Sequence, residues 1–433
     1  MYHYAKIMRK SFPAIVFLFY NYKLTQEECM KSAKKLAYLG MTAAILTGAA
    51  FTASAAEPVA KEDLKVGIIY IGDEQEGYTY AHMLGIEGMK EALGLEDDQV
   101  IEIFNIPEDE TCAEKAMDLA DQGCQIVFAN SFGHEDYMIE AAEQYPDVQF
   151  CHATGYQAAL SGLENMHNYF TAVYESRYVS GVVAGMKLAE MEANGQFKEE
   201  NYAEDGSIKI GYVGAYSYAE VISGYTSFLL GLRSEFPNVT MEVKYTGSWA
   251  DQALEKETAD ALIADGCALI SQHADTTGAA TACEAAGVPH VGYNVGMLDV
   301  APTCHLTSAS IKWAPYYTYA AQCILDGETI DTDWCQGYDQ GAVWITDLGE
   351  SVAEGTQEKV EDTWNAITEG LLHVFDTSTW TVNGETITST ADLEGFNGIE
   401  YINEDGYFME SEIGSAPAFS FVIDGVVELN QVF

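Results

Sequence analysis

The chain alternates short apolar runs of strand length with longer helical stretches, and it does so in two successive blocks. Parallel strands need crossover helices, so this rhythm predicts α/β architecture built on parallel sheets. The first block places strands near 65–71 (KVGIIYI), 100–104, 125–130 and 148–153, with helices at 80–93 and 112–122. The second places strands near 208–213 (IKIGYV), 240–245, 268–272 and 290–293, with helices at 221–235 and 252–265. A helix at 175–193 joins the blocks, and the chain after Pro302 reads as a strand and helix returning to the first. Two similar lobes with a cleft between them are expected: residues 58–174 plus 302–345 as lobe one, and 175–301 as lobe two. From about Val374 the pattern shifts to short strands punctuated by Thr, Gly and Asn. Residues 346–433 are therefore read as a helix and a small β-rich extension packed on lobe one.

With 48% hydrophobic residues over 433 positions the chain can bury a large core. Its 20 Lys+Arg against 67 Asp+Glu give a net charge of −47, which excludes a phosphate backbone as partner. Near the amino terminus, Lys31, Lys34 and Lys35 precede the apolar run 36–46, and Ala53-Ser54-Ala55 supplies a small-residue cleavage signal. Residues 1–55 are accordingly read as a leader containing a signal peptide that starts at Met30, and the body as exported and extracytoplasmic. No cysteine follows the cleavage signal in a position for lipid attachment. Eight cysteines remain, scattered and partly within apolar runs, and are expected to be buried free thiols.

No catalytic constellation emerges. The histidines show no H-E-x-x-H pair, and there is no G-x-S-x-G elbow, Walker lysine loop or G-x-G-x-x-G after a strand. Cys151 and His152 are adjacent on one strand, so their side chains point to opposite faces and cannot pair as nucleophile and base. Neither an enzyme nor a metal or cofactor site is expected.

Ligands of open α/β sheets bind beyond the carboxyl ends of the strands. Those segments here are GDEQEGYTY (72–80), NSFGH (130–134), TGY (154–156), AYSYAE (215–220), GSWAD (247–251), QHADT (272–276) and YNVG (293–296). They are rich in aromatic, amide and carboxylate groups and poor in Lys and Arg, a composition suited to a flat, neutral, polar ring.

At these segments the chain resembles the basic membrane protein family of substrate-binding proteins, the purine nucleoside receptor type that serves ABC importers. The resemblance runs from about Val66 to the Gly370–His373 region through GYTYAH (77–82), FANSFG (128–133), HATGY (152–156), YESRYVSGVVAG (174–185), IGYVGAY (210–216), GSWAD, QHADT, GYN (292–294) and HLTS (305–308). It implies a type I periplasmic-binding-protein fold, two Rossmann-like lobes joined by three crossovers. It also implies a monomer that hands a purine to a membrane permease.

In that family two aromatic rings sandwich the purine, and Tyr78 and Trp249 match those places; each also reads as an ordinary loop aromatic. Where the family's nucleoside binders carry an Asp for the ribose hydroxyls, this chain has Asn294. A neutral amide cannot accept two hydroxyl protons as a carboxylate does, which favours a free nucleobase such as adenine or hypoxanthine. Asp275 is a candidate acceptor for a purine N–H, or else a solvated or capping Asp. Phe132 and Gly133 follow the third strand, where a glycine lets backbone N–H groups approach a ligand. Glu220 either orients the ligand or caps the helix starting near Val221, and capping is favoured. Trp313, beside Lys312, falls near the family's ligand-contacting lysine. A nucleoside or pentose receptor, a secreted nucleoside hydrolase and a sensory receptor domain remain as alternatives.

Overall fold

The computed structural model describes residues 57–433; the leader read over 1–55, with its start at Met30, lies outside the described residues. Two sheets carry the chain. The first contains β1 (Val66–Ile69), β2 (Val100–Ile103), β3 (Ile126–Ala129), β4 (Gln149–Ala153), β5 (Met166–Thr171) and β11 (Asp333–Gln336), in the order β11-β5-β4-β3-β1-β2. Every neighbouring pair in it is parallel. The second contains β6 (Ile208–Gly214), β7 (Val239–Tyr245), β8 (Ile270–Gln272), β9 (His290–Tyr293), β10 (His305–Ile311), β12 (Val343–Ile345) and β13 (Val426–Glu428). Its order is β12-β10-β9-β8-β6-β7-β13, parallel except where β12 runs against β10.

Parallel sheets need cover on both faces, and the burial pattern shows it. Val66 and Ile68 of β1 feed one apolar cluster while Ile69 feeds another, joined there by Val127 and Ala129 of β3. The first sheet is served by α1 (Gly77–Leu93), α2 (Glu110–Asp121), α3 (Glu135–Gln144) and the single turn α4 (Ala158–Ser161). Four more helices accompany the second: α5 (Val173–Ala193), α6 (Ala219–Glu235), α7 (Gln252–Ala264) and α8 (Gly278–Ala286). Helices α5 and α6 cross closely because glycines meet there: a methyl added at Gly181 would overlap the Phe228 carbonyl, and one at Gly231 the Tyr178 carbonyl.

Three crossovers join the lobes, between β5 and α5, between β10 and α9 (Ala314–Asp326), and between β11 and β12. This moves one boundary drawn from sequence. The strand after Pro302 pairs in parallel with β9 and so belongs to lobe two; only the following helix and β11 return to lobe one. The reason is that β10, buried along its whole length, finds an open neighbour in β9.

The carboxyl-terminal extension also departs from expectation. After α10 (Thr356–Thr368) it is mostly irregular, with isolated bridges and the short β13. An aromatic cluster of Phe375, Trp380, Phe396, Phe408, Phe419 and Phe421 replaces sheet as its organising core. It touches lobe one, where the Ser415 N–H bonds the Asp333 carboxylate at 3.1 Å, but its last strand adds to the edge of the lobe-two sheet beside β7. The eight cysteines are free thiols, seven of them buried and Cys335 half-buried.

Candidate functional site

Between the lobes, at the carboxyl ends of the strands, Ile71, Glu76, Tyr78, Asn130, Ser131, Phe132 and Thr154 of lobe one face Glu220, Trp249, His273, Asp275 and Tyr293 of lobe two. The lobes are closed over a space of about 30 Å³, room for one or two waters. The Gly77 N–H donates across the cleft to the Asp275 carbonyl at 3.0 Å, and the Phe132 and Tyr218 rings meet at 5.8 Å. A ring-sized ligand needs more room than this closed space gives.

Tyr78 sits in the first turn of α1, its hydroxyl donating to the Asn130 carbonyl at 2.7 Å and its ring edge-on to His82 and Trp313. That fixes the ring at the cleft floor. Asn130, at the end of β3, is fixed in turn by accepting the Ile71 N–H at 2.9 Å. On the opposite lobe Trp249 packs beside Tyr216 and Tyr218, with ring centroids 5.2 and 6.2 Å away. Its loop is clamped at both ends, since Asp251 caps α7 through the Ala253 and Leu254 N–H groups and the Asp275 N–H donates to the Trp249 carbonyl at 2.8 Å.

Polar groups converge on the same space. Burial lifts the Glu220 carboxyl to about 7, partly offset by the Arg177 guanidinium, and Nε2 of His273 lies 3.3 Å from its Oε1. His273 is held well below its ordinary range by burial, with Arg177 adding to it. Asp275 is pushed well above the usual carboxylate range, first by burial and then by Glu76, Glu255 and Glu220. Arg177, only 1% exposed on α5, stacks its guanidinium 3.6 Å from the Tyr293 ring centre and donates from Nη1 to the Gln272 carbonyl at 2.7 Å. Its Nε and Nη2 have no hydrogen-bond partner among the described residues. One buried cation thus stands behind a cavity with three carboxyl groups, which accept N–H or O–H bonds from a ligand and, where protonated, also donate one.

Of the residues singled out from sequence, Tyr78, Phe132, Trp249, Glu220 and Asp275 share this cavity. Glu220 is not a helix cap: α6 begins at Ala219 after Tyr218 and has no side-chain cap. Asp275 is neither solvated nor capping but buried. Asn294 stands one shell back, where Nδ2 donates to Oδ1 of Asp275 at 2.6 Å; its positive φ of 64° turns the side chain that way. It sets the orientation of Asp275 and does not line the space. Gly133 is corrected too, because its N–H is committed to Glu108 at 2.8 Å and a methyl there would strike that side chain. Trp313 is core: it is 1% exposed, stacked on His82 at 3.9 Å, and supports Tyr78 from behind. Lys312 lies over the Trp344 ring at 4.7 Å, away from the cavity. Glu76, Asn130, His273, Tyr293 and Arg177 were not singled out; all but Arg177 lie within the strand-end segments that sequence had marked.

A larger concavity of about 1110 Å³ runs along the α1 stripe Tyr80, Leu84 and Gly88 and the Trp344 ring. It too carries aromatic and titratable side chains, Tyr319, Trp344, Asp299, Lys312 and Asp347 among them, but most of the strand-end segments marked from sequence meet in the interlobe space, which is taken as the site.

The family model described as ABC transporter substrate-binding protein, PnrA-like, matches residues 63–378. A purine-binding protein of Brucella abortus is 33% identical over 336 residues, which cover 75% of this chain and 89% of the relative. A putative ABC transporter glucose-binding protein of Haloferax volcanii is 29% identical over 338 residues, 78% of this chain and 80% of that one. Among solved structures, solute-binding proteins of ABC transporter systems from Aeropyrum pernix (TM-score 0.59, 16% identity, 72% of this chain and 93% of that one) and Conexibacter woesei (TM-score 0.56, 20% identity, 72% and 98%) share the fold. The two-lobed fold, the interlobe site and the match over most of its length together show that this chain belongs to the Bmp family of PnrA-like ABC transporter substrate-binding proteins.

Proposed function

We propose that the protein is an exported receptor that binds a purine nucleobase, adenine or hypoxanthine in kind, between its lobes and delivers it to an ABC permease. The family is one of extracytoplasmic solute binders and not an enzyme class. No helix among the described residues is long and apolar enough to cross a membrane. The observation that carries the reading is the meeting of Tyr78, Phe132 and Trp249 with Glu220 and Asp275 around one space. Aromatic faces hold a flat ring by stacking, and carboxyl groups accept from its N–H edges. The Brucella abortus relative named as purine-binding supports the ring class. The closed space admits neither a base nor a nucleoside as it stands, and a base asks for the smaller rearrangement. Asn294, whose amide is spent on Asp275, no longer carries the choice.

The test is calorimetric titration of residues 56–433, stripped of ligand by unfolding and refolding, with adenine, hypoxanthine, adenosine, inosine and glucose. Micromolar binding of a base, about −8 kcal/mol, with its nucleoside at least tenfold weaker is expected. Preference for a nucleoside overturns the base assignment, and binding of glucose alone overturns the purine assignment.

A further inference from the structure

The carboxyl-terminal tail lies beyond the residues matched by the family model, which end at 378. It nonetheless reaches the loops that carry Trp249 and its aromatic neighbours. Strand β13 pairs with β7, setting Val426 beside Met241 and Glu428 beside Val243. Past the strand, Asn430 continues the ladder with its side chain: Oδ1 accepts the Tyr245 N–H at 2.8 Å and Nδ2 donates to the Tyr245 carbonyl at 2.9 Å. The Glu428 carboxylate accepts from the Tyr245 hydroxyl at 2.5 Å. Two residues on, the Ser217 N–H donates to the Val432 carbonyl at 2.7 Å, and the Val432 N–H donates to the Ser217 hydroxyl at 3.0 Å. A side-chain methyl of Val432 also lies against Gly247, whose positive φ of 78° makes the turn before Trp249.

Ser217 lies between Tyr216 and Tyr218, and Gly247 is two residues before Trp249. The tail is thus packed on the loop that brings the Trp249 ring to the lobe-two wall of the cavity, and bonded to the loop whose Tyr216 and Tyr218 rings pack beside that ring.

We propose that residues 428–432 are a positioning element of the ligand site, holding the loops 215–218 and 246–249 so that the Trp249 ring stands ready over the cleft. The proposal rests on the cavity being the ligand site. A preset ring binds more tightly because its ordering is complete before the ligand arrives. The tail's own last strand has an outward residue, Val427, 45% exposed, that serves as a control.

Three variants test this: truncation after Leu429, Asn430→Ala, and the control Val427→Ala. Each is titrated with adenine beside the intact chain, and its thermal midpoint and amide hydrogen exchange are measured. The truncation is expected to weaken adenine binding at least tenfold and Asn430→Ala about threefold or more, with the midpoint of Asn430→Ala within a few degrees of the intact protein and Val427→Ala unchanged. Exchange over residues 248–250, whose amides the tail does not bond, is expected to rise. Adenine affinity within twofold of the intact chain in both tail variants overturns the proposal. Should the truncated chain fail to fold, Asn430→Ala decides. Should the intact chain bind no adenine, the nucleobase reading fails separately, and the tail is judged by exchange at 248–250 alone: raised exchange upholds it, unchanged exchange overturns it.

Discussion

Replacing Trp249 by alanine isolates the stacking contribution on which the nucleobase reading depends. The ring is held by Tyr216 and Tyr218 at 5.2 and 6.2 Å and by the clamped loop around it, so little ordering is left for the ligand to impose. Its loss should then appear mainly as lost ring-on-ring contact, about 1–3 kcal/mol for one face. At 1.4 kcal/mol per factor of ten, that is a roughly 5- to 150-fold rise in the dissociation constant. Trp249→Phe retains a smaller face and should fall between. The folded state loses two aromatic pairings, roughly 0.5–1.5 kcal/mol each, so Trp249→Ala should remain folded. Calorimetry with adenine measures the first effect and denaturant unfolding the second. An affinity within twofold of the parent, in a variant shown to be folded, refutes the stacking argument. Loss of affinity in proportion to loss of stability refutes the claim that the ring acts on the ligand directly.

Other outcomes follow from buried charge and close packing. Burial raises Glu410 from 4.5 to about 7 while its Oε2 accepts the Ala418 and Phe419 N–H groups. The folded state thus keeps a proton that the unfolded chain releases, so this group's stabilising share falls as pH rises from the unfolded value to the folded one. Glu410→Gln removes that dependence, and its stability relative to the parent should rise by up to about 3 kcal/mol between pH 5 and pH 8; denaturation curves showing a constant difference contradict it. Asn294→Asp sets a carboxyl where an amide donates to Asp275 at 2.6 Å, and two such acids cannot both ionise. Adenine binding by this variant should be at least tenfold weaker at pH 8 than at pH 5 relative to the parent, and equal ratios at both would remove Asn294 from the site's electrostatics. Gly181→Ala forces a methyl onto the Phe228 carbonyl, a backbone atom of a buried helix, and should cost about 1–3 kcal/mol or prevent folding. A denaturation midpoint equal to the parent's would show that the α5–α6 crossing yields.

The eight strands read from apolar runs all exist, and β9 spans the same residues, 290–293, as its sequence reading. Buried parallel strands advertise themselves through continuous Val, Ile and Phe. The strands that escaped notice lack that signal. β5 reads MHNYFT, and although all six residues are buried, His167 and Asn168 satisfy their polarity with the Asp331 carbonyl and the Glu135 carboxylate, partners distant in sequence. β11 reads DWCQ and β12 VWI, too short to show any period, whereas β13 falls within the short strands read past Val374. The site was legible as a set of strand ends more than as individual residues. Position after a strand locates a loop but does not say which way its side chains turn, which is why Asn294, Gly133 and Trp313 were assigned to the ligand while Glu76, His273 and Tyr293 were passed over. Arg177 carried no strand-end signal at all. Its burial arises from α5 passing under the cleft, a tertiary fact that neither helical period nor composition encodes.

The central claim is that a purine ring binds in the space bounded by Tyr78, Phe132, Trp249, Glu220 and Asp275. A crystal structure of the refolded protein with adenine tests it most directly. The account predicts density for the ring in contact with Trp249 and an aromatic side chain of lobe one, with a carboxyl of Glu220 or Asp275 accepting from a ring N–H or the amino group. Adenine seated instead in the groove along α1, or an interlobe cleft left without it at saturating concentration, would contradict the claim.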